Sequence, residues 1–240
     1  MSGWPIAETR TLIASLFGQE HLKLVKPSLD ALALRQDYAR FHYLEVGRFL
    51  DDFQNRHLST KSLLVVIDDK DQAVRGEFEL LMIQIGAHAL ACVMCIHALA
   101  DLMAYATYHA LGYSLQPSAL RERDIKIGNV CERLKETPEH NRIADLLVGL
   151  VADANFKHVT ALANKSKHQA LVKQLLNEDL TGTRKIRHEV RFSAFKYGNK
   201  SYPEVELSSL LEPAYNLTSR TVVEVGNEMS AVLKMKLKES

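Results

Sequence analysis

Cysteine, proline and glycine are all scarce in this sequence, and each scarcity excludes a class of protein. Three cysteines are an odd number and too few for a disulfide framework. With 6 prolines and 11 glycines among 240 residues, the chain is neither a linker nor a disordered polymer. No apolar run reaches about eighteen residues, and the first residues lack a signal-peptide pattern. We therefore expect a cytoplasmic protein without a membrane span.

The small net charge hides a local excess of positive charge. The formal charge is +1, yet residues 157–200 carry ten lysines or arginines against three acids. Two interpretations are open. The segment faces an anionic partner, for which nucleic acid is the commonest candidate, or it is a solvated surface balanced by acidic helices elsewhere.

Hydrophobic periodicity predicts a mainly α fold, a compact bundle of about five to seven helices with one C-terminal β-hairpin. The longest helix is predicted over 72–111 and is ended by Gly112 in a left-handed conformation. Another helix is predicted over 28–56, after Pro27. Apolar side chains recur along it at near-helical spacing and predict a core face: Leu34, Tyr38, Phe41, Phe49 and Phe53.

The pattern changes period towards the C-terminus. Val190 and Phe192 alternate with charged residues, and Gly198-Asn199 is a turn dipeptide. Together they predict one hairpin, roughly over 186–197 and 200–207. We divide the chain into an N-terminal arm, a helical bundle, and the hairpin with a closing helix, over residues 1–27, 28–180 and 181–240.

Six consecutive polar residues, 164–169, interrupt a run that predicts an amphipathic helix over about 155–176. Six positions cover every face of a helix, so part of this block points inward or the helix breaks there. Lys165 lies one turn before His168, close enough to reach the same anion. A neutral histidine can exchange a proton with a ribose hydroxyl, and a nearby lysine can hold a phosphate. The alternative is a helix kink or a solvated face.

The centre of the longest helix carries two further constellations. His97 and Asp101 are spaced i, i+4, which favours either an imidazole oriented towards a site or a self-satisfied buried network. Cys92 and Cys95 have the spacing of a metal or redox pair, with His88 one turn before them. Because they lie mid-helix, buried structural cysteines are the stronger interpretation, and we predict no metal and no cofactor.

The block from Asn164 to His168 resembles the HEPN superfamily, specifically its uncharacterised HEPN-like branch with an Asn-x-x-Lys-His signature. The preceding helix, with its centre from His97 to Asp101 and a following Leu-Gly, adds to the resemblance, which covers about residues 28–176. The resemblance implies a compact helical bundle and a homodimer. Many members of that superfamily are metal-independent ribonucleases, often toxins or antiviral effectors, with paired Arg and His motifs at the dimer interface. The resemblance implies the same kind of activity for this chain.

His168 matches the histidine of the family, but the arginine is not matched, because Ala163 stands five positions upstream. Lysine cannot reproduce the bidentate fork of arginine on a phosphate.

We predict binding of RNA or a nucleotide, with a metal-independent ribonuclease as the enzymatic form. The alternative is a structural or regulatory protein that binds a protein partner, such as an antitoxin. The candidate catalytic residues are His168, Lys165 and Asn164, with His97 and Asp101 opposite or beneath them. The predicted nucleic-acid contacts are Lys157, Lys167, Lys173, Arg184, Lys185, Arg187 and Arg191.

Overall fold

A computed structural model describes residues 3–59, 61–68, 72–184 and 186–239. Its α-helices are α1 (Ile6–Phe17), α2 (Gln19–Phe53), α3 (Leu63–Ile67), α4 (Gln72–Ala110), α5 (Ile127–Lys135), α6 (Asn141–Ala152), α7 (Ala154–His168) and α8 (Leu207–Glu239). Its strands are β1 (Gln174–Glu178), β2 (His188–Phe192), β3 (Phe195–Tyr197), β4 (Lys200–Tyr202) and β5 (Val205–Glu206). The predicted mainly α fold with a C-terminal hairpin is confirmed.

Glycine and proline mark the helix boundaries only in part. Gly18 and Gly112 follow α1 and α4 with φ of 84° and 81°, where a side chain would be strained, so the predicted end of the longest helix is confirmed. Pro27, by contrast, does not start a helix. It lies inside α2, where the Ser28 hydroxyl donates to the Val25 carbonyl at 2.7 Å. The predicted start of this helix at residue 28 is therefore wrong.

Among the described helices, α4 is long and apolar enough to cross a membrane by length and composition. The segments Pro138–Ala152 and Ala154–His168 pass the same test if they are taken as one span. The core helix of a soluble protein passes this test as well, so length and composition alone do not assign α4 to a membrane.

The chain divides into two units by internal contacts. The first unit comprises Met1–Asp37, Ile96–Lys157 and Ala214–Ser240. Its largest fully buried side chains are Ile13, Leu29, Leu32, Ile96, Leu99, Met103, Tyr108, Leu111 and Leu134. Trp4 lies against the backbone of Gly226, and the hydroxyls of Thr9 and Ser230 are 2.7 Å apart. These contacts fix the start of the chain against α8 inside this unit.

The second unit comprises Tyr38–Cys95 and His158–Pro213. Its core includes Phe53 and Phe192, which are 1% and 0% exposed. The predicted core face of α2 is only partly correct, because Tyr38 and Phe41 are 45% and 54% exposed and Leu34, in the first unit, is 49% exposed. Helical spacing correctly puts these side chains on one face, but it does not determine what covers that face.

The strands form two small antiparallel sheets in the second unit. β2 lies between β1 and β5, and its register pairs Gln174 with Phe192 at one end and Glu178 with His188 at the other. β3 and β4 form the predicted hairpin, closed by Gly198 with a φ of 57°. The predicted continuation of α7 to residue 176 is wrong, because α7 ends at His168 and β1 follows.

Candidate functional site

The polar block predicted to carry the site forms the last turn of α7. Asn164 and Lys165 are partly buried, whereas Lys167 and His168 are exposed. The backbone N–H groups of Gln169 and Ala170 both donate to the Lys165 carbonyl, at 2.9 and 3.1 Å, and close the helix. Cationic side chains in a last turn also interact favourably with the helix dipole. Ending the helix is therefore one role that the sequence of this block fulfils.

The arginines predicted to contact nucleic acid are paired with carboxylates. Arg187 contacts Glu178 at 2.8 Å, and Arg191 bonds Glu204 and Glu189 at 2.5 and 3.1 Å. Arg184 also forms an ion pair with Glu189. Their positive charge is balanced locally, so these arginines are poor candidates for binding a phosphate. Lys185 lies outside the described residues.

Most described lysines of the second unit lack the carboxylate partners that Arg184, Arg187 and Arg191 have. Five of them form no ion pair with any described carboxylate and define what we call the lysine surface: Lys165, Lys167, Lys173, Lys196 and Lys200. They occur at the end of α7, before β1, and on the β3–β4 hairpin. The Ser193 N–H donates to the Lys173 carbonyl at 2.9 Å, which brings the start of β1 next to the chain that enters the hairpin. Lys157 is also exposed but belongs to the first unit.

His97 and Asp101 lie on α4 in the first unit, whereas Asn164, Lys165 and His168 belong to the second. His97 is partly buried and Asp101 is exposed. The predicted juxtaposition of these two groups stays a prediction.

The cysteines of α4 lie in an apolar environment. Cys92 is 1% exposed and Cys95 is 4% exposed. Burial raises the pKa of Cys92 to about 12, with a smaller contribution from Cys95, so the thiolate that binds metals is disfavoured. His88 instead places its Nδ1 3.0 Å from Nδ1 of His42. Within the described ranges, no group of three or more His, Cys, Asp or Glu side chains could hold a metal ion.

A groove of about 590 Å³ in the second unit was not predicted from the sequence. It is lined by one side of α2, by β2, and by the start of α8. Its most buried polar side chain is His188, which is 5% exposed, and Nε2 of this ring lies 3.4 Å from Oε1 of Glu178. The Glu178 side chain is 4% exposed. A buried carboxylate thus lies directly behind a buried imidazole at the groove wall.

Several donors stabilise the charged form of Glu178. The Leu63 N–H at the start of α3 donates to Oε2 at 2.7 Å, and Arg187 donates to Oε1 at 3.0 Å. Burial alone would raise the pKa of Glu178, but these donors outweigh it and hold the pKa below its ordinary value. The sequence contained a signal for this site, since a period of two that places Val190 and Phe192 inward also places His188 inward.

Comparison of the chain with protein families, curated proteins and solved structures finds no match. The HEPN resemblance, the homodimer, the antitoxin-like partner and the cytoplasmic location therefore stay predictions.

Proposed function

We propose that this protein binds RNA or another phosphate-bearing polymer through the lysine surface. The observation that carries the proposal is the absence of carboxylate partners for five lysines within the described part of the second unit, while the neighbouring arginines are paired. An unpaired ammonium group loses no protein contact when it binds a phosphate, and it releases counterions from the nucleic acid as it does so. Paired arginines would first have to break an ion pair.

The hairpin adds aromatic side chains to this charge. Phe195, which is 8% exposed, stacks on Tyr202 with centroids 4.9 Å apart and an interplanar angle of 10°, and His158 packs against both rings, so these three rings hold the hairpin against α7. Tyr197, on the same hairpin, is partly exposed and lies between Lys196 and Gly198. Aromatic faces beside cationic side chains are the combination that binds single-stranded nucleic acid with little sequence preference. Single-stranded RNA is accordingly the favoured ligand.

His168 is the candidate general acid or base for cleavage of the bound RNA. The imidazole is exposed, Lys165 is one turn away, and general acid–base transfer to a ribose hydroxyl needs only such a group within reach of the substrate. Because no arginine accompanies it, binding is the function we propose, and cleavage is tested separately.

Binding is tested by fluorescence anisotropy of a labelled single-stranded RNA over a series of salt concentrations. Each phosphate contact contributes about −0.7 to the slope of log affinity against log salt, so substitution of three contacting lysines by glutamine should reduce the slope by about 2. The test variant is Lys167→Gln/Lys173→Gln/Lys196→Gln. The matched control changes three exposed lysines of the first unit: Lys126, Lys135 and Lys238. An affinity that is indifferent to salt, or an equal loss in both variants, contradicts the proposal.

Cleavage is tested by incubating the protein with RNA in the presence of a chelator. Products formed by the wild-type protein and lost in His168→Ala would identify His168 as the general acid or base. Cleavage that persists in His168→Ala would remove this residue from the mechanism, whatever the salt dependence of binding.

A further inference from the structure

The groove of the second unit has the size and the walls of a small-molecule site. Its volume of about 590 Å³ lies within the usual range for ligand pockets. Apolar side chains form much of the wall, among them Leu44, Leu50, Val190 and Leu207. Gly47 leaves the side of α2 open at the groove, because a Cβ built on it would meet nothing within 4 Å. The apolar walls require a ligand with an apolar body.

His188 determines the hydrogen-bonding character of the groove. Its Nε2 lies 3.4 Å from the Glu178 carboxylate, which favours the tautomer that carries its proton on Nε2. The other ring nitrogen, Nδ1, then presents a lone pair and acts as an acceptor. Nε2 makes no hydrogen bond with a described residue, although the side chain is only 5% exposed. In the tautomer with its proton on Nε2, the ring offers Nδ1 as an acceptor for a donor from a ligand in the groove.

The charged residues of the groove favour a cationic ligand, which is also a hydrogen-bond donor. Three carboxylates line it, from Asp51, Glu189 and Glu206, against the single guanidinium of Arg48. Arg48 is turned to other partners, since it bonds Glu45 at 2.7 Å and lies 4.3 Å from the centroid of Phe49. Glu189 forms ion pairs with Arg184 and Arg191, whereas Asp51 and Glu206 form none with any described residue.

Glu206 remains ionised at neutral pH. Hydrogen bonds from the hydroxyls of Ser208 and Ser209 lower its pKa. Arg191 and Arg184 add a smaller lowering of this pKa, but Glu206 forms no ion pair with any described residue. Asp51 forms no ion pair with any described residue and is exposed at the same groove. A phosphate or carboxylate ligand would be repelled here, whereas a cation would be attracted.

We propose that this groove binds a small organic cation, a primary amine on an aliphatic or aromatic body. The ammonium group donates to the carboxylates of Asp51 and Glu206 and to Nδ1 of His188, while the apolar body lies along Leu44 and Val190. This site is independent of the lysine surface, because it selects the opposite charge.

Three probes of similar size and different charge test the proposal at neutral pH: 2-phenylethylamine, 2-phenylethanol and phenylacetate. Binding is measured by saturation-transfer NMR and by isothermal titration calorimetry. The amine should bind saturably and at least about tenfold more tightly than the alcohol, since a charge-assisted hydrogen bond is lost with the ammonium. Phenylacetate should bind most weakly. An alcohol or a phenylacetate that binds as tightly as the amine, or an amine that shows no saturable binding, would overturn the proposal.

A steric variant separates loss of the site from loss of folding. Gly47→Leu fills the groove from α2, and leucine favours a helix more than glycine does, so the fold should be retained. The matched control is Gly149→Leu, because a Cβ at this position in α6 also meets nothing within 4 Å and lies far in sequence from the groove. We expect amine binding to be abolished in Gly47→Leu and unchanged in Gly149→Leu. Undiminished binding by Gly47→Leu would refute the assignment of the groove.

A charge variant tests the selectivity. Asp51→Asn/Glu206→Gln should weaken amine binding at least about tenfold and bring its affinity close to that of the alcohol. Asp145→Asn, an exposed acid on α6 without an ion pair to any described residue, serves as the control. If the double variant keeps the preference for the amine, carboxylates do not select the ligand and the proposal fails.

Discussion

The buried His140 should make the free energy of unfolding depend on pH in a defined window. The ring is 2% exposed, and its Nδ1 lies 2.5 Å from the Tyr113 hydroxyl. Burial, with a smaller effect from the ammonium of Lys236, lowers the pKa of His140 from 6.5 to about 4. As the pH falls through 6.5, the unfolded chain gains a proton that the folded protein does not accept until the pH approaches about 4. Acidification across this window therefore destabilises the fold.

The magnitude follows from proton linkage. One group with these two pKa values contributes about 2 kcal/mol less to the free energy of unfolding at about pH 4.5 than at about pH 7. For a chain of this size the same loss lowers the melting temperature by about 4–8 °C. The stability contribution is fully present above the unfolded pKa of 6.5 and is lost as the pH falls towards the folded value of about 4.

The assay compares the wild type with His140→Asn by urea denaturation at several pH values. Asparagine does not titrate, and its side-chain oxygen can accept the hydrogen bond of the Tyr113 hydroxyl in place of Nδ1. Other buried histidines act on both proteins equally, so the difference between the two curves isolates His140. We expect the wild type to lose about 2 kcal/mol more than the variant over this window. Parallel stability curves for the two proteins would refute this account of His140.

Four further predictions concern packing, helix propensity and buried groups. Gly226→Ala should destabilise the protein by about 1–3 kcal/mol and shift the fluorescence of Trp4, the only tryptophan, because the added Cβ would overlap its ring. Gly47→Ala should stabilise the protein by about 0.5–1 kcal/mol in urea denaturation, because alanine favours a helix more than glycine does and its Cβ meets nothing within 4 Å. Cys92, with a pKa of about 12, should resist alkylation at mildly alkaline pH until urea unfolds the chain, as measured by mass spectrometry. Glu178→Gln should lower the free energy of unfolding, measured by urea denaturation at neutral pH, by about 1–3 kcal/mol. The difference from the wild type should shrink in acid, because the stability that comes from the lowered pKa of Glu178 is lost as the pH falls through that pKa.

Local signals in the sequence predicted the elements whose ends are chemically marked. Gly112 ends α4 and Gly198 closes the hairpin, because each adopts a positive φ that other residues avoid. The end of α7 was misplaced because Leu175 and Leu176 continue an apolar pattern that fits a helix and a strand equally well. Only pairing with β2 makes them a strand, since Leu176 lies opposite Val190. A partner strand that is distant in the sequence cannot be read from periodicity.

The candidate sites were predictable to different degrees. The abundance of lysine and arginine between 157 and 200 was visible, but which of them are paired depends on where Glu178, Glu189 and Glu204 lie in the folded chain. His188 could have been found by extending the inward alternation of β2 by one step. Glu178 could not, because its role depends on the register that sets it opposite His188.

The register of β1 and β2 also separates the charges of the basic segment. At one end of the pair, Glu178 lies beside His188 and forms an ion pair with Arg187. At the other end, Lys173 precedes Gln174 and Phe192, and no described carboxylate pairs with this lysine. A shift of one residue would turn Glu178 to the opposite face and leave Arg187 and His188 without their anion. Charge counted along the sequence therefore overstates what an anionic ligand can reach: Lys173 has no ion pair with a described residue at one end of the strand pair, while Arg187 holds the Glu178 carboxylate at the other.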